Sequence, residues 1–149
     1  MLNTEEKKQM NIIRIIWASM LGTLAVYVLI AYMFGAQIKA DLGPDIPVGT
    51  IKNILILVSA VEIVAAGFIR RFILTIRKPA DASQIAKRYF AAVLVSLAMS
   101  ESVGIYGLLL FLIGEGFPTL YTFIALSAVA MIFYRPKTDE FEHFVAVEQ

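Results

Sequence analysis

The chain contains no cysteine and a single histidine. Without cysteine there is no disulfide framework, no thiolate metal site and no cysteine nucleophile. His143 stands between Glu142 and Phe144 near the C-terminus, with no second histidine or cysteine at ligand spacing, so it reads as a solvent-exposed side chain and not a metal ligand. Charge is scarce as well: 17% of the 149 residues are charged, against 59% hydrophobic, and mean hydropathy is +0.76. What the chain lacks most is charge within long runs. Ile15 to Ala36 has 22 residues without any, and Gly116 to Tyr134 has 19 without any. Ile51 to Ile69 has 19, with Lys52 at its edge and Glu62 inside; Tyr89 to Gly114 has 26, with only Glu101. This composition excludes an ordinary soluble domain and predicts an integral membrane protein. No Ser/His/Asp set, phosphate loop or nucleotide fingerprint occurs, so neither an enzyme acting alone nor a nucleic-acid partner is expected.

At a rise of about 1.5 Å per residue, each run crosses a hydrocarbon layer of about 30 Å. In lipid the backbone must find its hydrogen bonds within the segment, which makes the runs helices. The expected fold class is an all-α integral membrane protein in which residues 1–149 form a single transmembrane domain. Four transmembrane helices, over about 11–36, 51–76, 85–114 and 117–134, pair as two antiparallel hairpins ahead of a polar tail, 135–149. Gly43-Pro44 and Pro47 break the first outer connection, and Asp81 or Ser83 can cap the third helix. Gly114-Glu115-Gly116-Phe117-Pro118 forms the last turn, with Pro118 placed for the first turn of the fourth helix. That turn is short enough to make the third and fourth helices antiparallel neighbours.

Orientation follows from the basic residues. Lys7, Lys8, Arg14, Arg70, Arg71, Arg77, Lys78, Lys87, Arg88, Arg135 and Lys137 fall on one side, and only Lys39 and Lys52 on the other. The positive-inside bias places both termini and the 70–88 loop in the cytoplasm of an inner (plasma) membrane protein. The first run is too long for a cleavable signal peptide, and no small-residue cleavage site follows it. The basic loop shares its face with acidic Asp139, Glu140, Glu142 and Glu148, where the plainest reading is a solvated loop and a frayed tail, with mutual attraction as the alternative. A weak echo, Val58-Ser59-Ala60-Val61 against Leu126-Ser127-Ala128-Val129, with Tyr27 and Tyr106 in the outward-running helices, suggests a two-hairpin repeat against chance similarity of apolar helices.

Glu62 and Glu101 are the chemically loaded positions, because a carboxyl in a spanning helix costs a few kcal/mol and marks a functional site by default. On the third helix, Ser100, Gly104 and Gly107 form a small-residue strip beside Glu101 that admits a neighbouring backbone. On the second, Glu62 shares its face with Ser59, Ala65 and Ala66. Both acids are thus expected at helix contacts, at similar depth, close enough to share a proton. Ser59, Ser102 and Tyr106 can donate to them or lend oxygens to a hard cation such as Na⁺.

The string Ala98-Met99-Ser100-Glu101-Ser102-Val103-Gly104-Ile105-Tyr106-Gly107-Leu108-Leu109, preceded by Arg77-Lys78-Pro79, resembles the loop and second helix of the rotary ATP synthase proteolipid, subunit c. The likeness covers about residues 50–113 and is specific only from 98 to 109. It implies an ion-carrying carboxylate at Glu101, ligand and latch roles for Ser102 and Tyr106, and Glu62 near the first-helix residue that completes the site. Val103 stands where sodium binders often carry threonine, and the second helix lacks the repeated glycines of a proteolipid ring, having Ala60, Ala65, Ala66 and Gly67. The expectation is a subunit c-like membrane protein that binds and helps translocate H⁺ or Na⁺, as a homo-oligomer or with other membrane subunits in the lipid bilayer. The alternative is a structural or assembly subunit in which Glu62 and Glu101 only stabilise helix packing, or a scaffold whose basic loop binds anionic lipid or a cytoplasmic partner.

Overall fold

The computed structural model describes residues 4–41, 47–75 and 82–148. Among them the chain is helical, in five elements: α1 Thr4–Asp41, α2 Val48–Thr75, α3 Ala82–Leu112, α4 Phe117–Phe133 and α5 Thr138–Glu148. Three contain segments long and apolar enough to cross a membrane: Lys7–Gly35, Val48–Thr75 and Gln84–Leu112. The 17 residues of α4 are equally apolar but span only about 25 Å at helical rise.

The bounds differ from the expected ones for local reasons. Helix α1 runs through the polar N-terminal residues and past Ala36, since nothing in Gln37–Asp41 breaks it. Helix α2 starts at Val48 because Pro47 needs no amide of its own and its carbonyl accepts from the Thr50 and Ile51 amides. Helix α3 stops at Leu112, and Gly114 takes a φ of 126°, a conformation that glycine adopts freely. Gly116 precedes α4 in extended conformation with Pro118 inside the first turn. The largest departure is the tail, which is not frayed but forms α5. Gly43-Pro44, Arg77-Lys78-Pro79 and Asp81 lie outside the described residues.

Helix α3 is the hub, packing against α1, α2 and α4, while α1 also touches α4 and α5 leans on α3. Partners on α3 and α4 run in opposite directions, Ser100 with Ser127 and Gly107 with Phe123. Lys52 meets Glu115 and Glu62 meets Tyr106, so α2 is antiparallel to α3. Helix α1 pairs Leu24 with Gly104 and Gly35 with Phe111, and is therefore parallel to it.

Small residues make these contacts close. A Cβ at Gly107 would sit 2.5 Å from the Phe123 Cβ and 3.3 Å from the Leu120 carbonyl oxygen; one at Gly104 would sit 2.7 Å from a Leu24 methyl. Ser100 is fully buried, with its carbonyl accepting from Ser127 Oγ at 2.6 Å. Ala66, also fully buried, belongs to the apolar cluster of Met10, Ile13, Leu24, Tyr89, Val93, Leu97 and Met131. Where no water reaches, association of helices rests on such packing and on interhelical hydrogen bonds. Trp17 Nε1 donates to the Met131 carbonyl at 2.9 Å, and the Tyr134 hydroxyl to the Ile63 carbonyl at 2.8 Å.

Each end is tied by charge. At one, Glu115 Oε2 accepts from Lys52 Nζ at 3.1 Å and from Thr119 Oγ1 at 2.6 Å. At the other, Arg70, only 7% exposed, donates to the Tyr134 carbonyl at 2.7 Å and pairs with Glu140 at 2.5 Å. The attraction between the basic side of α2 and the acidic tail is realised at this pair. Tyr89 adds a reciprocal clasp, donating to the Lys137 carbonyl and accepting its amide.

Two outcomes follow. Gly107→Ala should destabilise the protein in detergent by about 1–3 kcal/mol through overpacking, whereas Gly22→Ala, with no atom within 4 Å of the new methyl, should not; helix loss on heating measures both. The Thr119 hydroxyl and then the Lys52 ammonium hold the Glu115 carboxyl below its ordinary value. Its stabilising contribution is therefore complete above the ordinary carboxylate range and lost as pH falls through the lowered folded value. Melting curves of Glu115→Gln should lack that acid-side component.

Candidate functional site

The circumference of α3 is covered on three sides. The remaining strip, Leu94, Val95, Ala98, Ile105 and Leu109, is exposed. Glu101 and Ser102 border it on opposite edges, because consecutive helical residues lie about 100° apart. One edge adjoins α1 and the other α2, and a polar cluster occupies each.

In the first cluster, Glu101 Oε1 accepts from Thr23 Oγ1 at 2.5 Å and from the Tyr27 hydroxyl at 3.1 Å. Thr23 and Tyr27 are one turn apart on α1, so a single face delivers both. Thr23 Oγ1 also lies 2.6 Å from the Met20 carbonyl. A hydroxyl has one proton to give and a carbonyl can only accept. When the carboxyl is ionised, Thr23 and Tyr27 both point their protons at it. When it carries a proton, it can donate to Thr23, whose own proton turns to Met20. Both charge states of Glu101 thus find partners, and one hydroxyl rotation connects them.

The second cluster belongs to Glu62. The Tyr106 hydroxyl lies near Glu62 and Ser102, close enough for electrostatic interaction. Ser102 Oγ spends its proton on the Met99 carbonyl at 2.7 Å and so offers only lone pairs to Tyr106. Glu62 Oε2 and Ser59 Oγ are buried and have no hydrogen-bond partner. They are three residues apart on the face of α2 that meets α3. Ser96 and Ser100 return their protons to carbonyls four residues back, which Ser59 does not do. A buried polar atom without a partner is costly, so the pair forms a place with a standing demand for a proton, a water or a cation.

This arrangement corrects the expected one. Glu62 and Glu101 were expected to share a proton directly, but among the described residues no hydrogen bond or ion pair joins them. Of the two side chains expected beside Glu101, Tyr106 lies near Glu62 instead and Ser102 bonds to the Met99 carbonyl, with Ser59 on the Glu62 seam. The residues that do serve Glu101, Thr23 and Tyr27, were missed. Their signal was a one-turn spacing of hydroxyls in an otherwise apolar run, legible only once α1 is known to lie parallel to α3. His143 is exposed, and among the described residues no three His, Cys, Asp or Glu side chains gather as a metal site would require.

If the seams are separate, infrared absorption of protonated carboxyl groups should resolve two independent bands. Thr23→Val should shift the one abolished by Glu101→Gln and leave the one abolished by Glu62→Gln in place. A shift of the Glu101 band on replacing Glu62 would mean direct contact between the acids.

Compared with known protein families, with curated proteins and with solved structures, the chain finds no match.

Proposed function

We propose that this protein binds and helps translocate H⁺ through the carboxyl of Glu101, as a subunit c-like component of a membrane assembly. The observation that carries the reading is the Thr23–Glu101–Tyr27 cluster, where both protonation states are satisfied and differ by one hydroxyl rotation. A group that must gain and lose a charged particle in lipid needs such indifference, because leaving either state unpartnered would trap the ion in the other. The open strip of α3 beside it supplies lateral access for an exchanging partner. The string from Ala98 to Leu109 supports the same reading through its resemblance to the proteolipid family.

In this reading all four apolar helices cross an inner (plasma) membrane, both termini lie in the cytoplasm, and α5 rests on the cytoplasmic side. The chain works as a homo-oligomer or alongside other membrane subunits and catalyses no reaction of its own. The unpartnered oxygens at Ser59 and Glu62, with Tyr106 and Ser102, support a second ion position, and Na⁺ suits its all-oxygen set.

A second reading is favoured by the same bonds: Glu101 joins α1 to α3, and the acids stabilise packing without carrying anything. Dicyclohexylcarbodiimide, which attacks protonated carboxyls in apolar surroundings, separates the two. The reagent should label Glu101, and Glu101→Gln should abolish ion flux in reconstituted vesicles while retaining the fold. Protection by Na⁺ at fixed pH would assign sodium. Absence of labelling wherever the protein stays folded, with flux intact in Glu101→Gln, would leave the packing reading in place.

A further inference from the structure

On α2, residues Val64, Gly67, Phe68, Arg71 and Leu74 recur every three or four positions and so form one face. That face does not lie on α3. It borders a groove of about 530 Å³ whose other wall is Phe133 and Tyr134 of α4 with Lys137 and Glu140 beyond. The groove is graded along its length. Its deeper part is Val64, Gly67, Phe68 and Phe133, and the two phenylalanines are 68% and 71% exposed. One turn further out stand Arg70, Arg71, Lys137 and Glu140. Arg70 and Glu140 neutralise each other. Among the described residues Arg71 and Lys137 have no acidic partner, so the outer part carries an excess of two positive charges over an apolar trough.

We propose that this groove is a binding site for an anionic phospholipid. Its phosphate sits between Arg71 and Lys137, and an acyl chain runs down the trough along Phe68 and Phe133. Charge complementarity selects an anion, and the position selects a lipid: the trough belongs to spanning helices, and the cations stand where such a helix leaves the hydrocarbon. A free phosphate would use the rim alone and leave both phenyl rings uncovered. A zwitterionic lipid would fill the trough but bring a cation of its own to Arg71 and Lys137. Because the groove joins α2 to the α4–α5 junction beside the Arg70–Glu140 pair, a bound lipid also braces α5 against the bundle.

The full-length protein, stripped of lipid in mild detergent, should be titrated with dioleoyl phosphatidylglycerol, dioleoyl phosphatidylcholine and inorganic phosphate. Native mass spectrometry counts bound lipid, and thermal unfolding reads its effect. The glycerol lipid should bind at least about tenfold more tightly than the choline lipid, as expected for two cations near a headgroup, and phosphate should not displace it. The double variant Arg71→Gln/Lys137→Gln should lose the preference, Lys7→Gln/Lys8→Gln should keep it, and Phe68→Ser should weaken both lipids. Equal retention of the two lipids by the unaltered protein overturns the proposal, even if the double variant fails to fold. Displacement by inorganic phosphate overturns it in favour of a small-anion site, and an unchanged preference in a folded double variant overturns the placement.

Discussion

The close approach of α3 to its neighbours is the constraint on which the rest depends. A bilayer offers helices no hydrophobic reward for meeting one another, so they hold together through packing and a few interhelical hydrogen bonds. Gly104 and Gly107 let Leu24 and Phe123 reach the α3 backbone, and Ser127 bonds to the Ser100 carbonyl. With α4 held there, α1 and α2 take the flanks. Glu101 and Ser102, neighbours in the chain, are thereby assigned to different seams.

That separation gives the two acids, Glu62 on α2 and Glu101 on α3, distinct surroundings on either side of α3. Glu101 has two hydroxyl partners with a carbonyl behind them, and a proton can be rearranged among these groups without moving any backbone. Glu62 has Tyr106 nearby and leaves one carboxyl oxygen unmet beside an unmet serine. The tyrosines, Tyr27 for one acid and Tyr106 for the other, come from helices that both run in the same direction.

Much of the architecture was legible in the sequence because membrane helices are specified by length and charge alone. Lys52 and Arg70 sit where α2 approaches its ends, and Pro47, Gly114 and Pro118 mark real boundaries. The tail was less legible. Thr138–Glu148 carries Asp139, Glu140, Glu142 and Glu148, which oppose burial, and its helix depends on docking: Phe141 is 2% exposed against α3, and Glu140 reaches Arg70. Side-chain alliances between helices were the least legible. Face periodicity groups Ser59, Glu62, Ala65 and Ala66, but it says nothing about which neighbour a face meets. Glu62 of the second helix was the partner expected for Glu101, because the string around Glu101 pointed to a two-helix hairpin, and in the five-helix fold α1 supplies the partners instead.

The parallel course of α1 and α3 has a bearing on how the molecule is made. Helices joined by a short turn can pair as soon as the second leaves the ribosome, but parallel ones must wait for an intervening crossing. Thr23 and Tyr27 therefore enter the bilayer long before Glu101 exists to receive them, and α2 must be inserted in between. During synthesis the Glu101 pocket is a late assembly, completed only after two earlier helices have taken their places, so faults in insertion of α2 would appear first as a misplaced acid on α3.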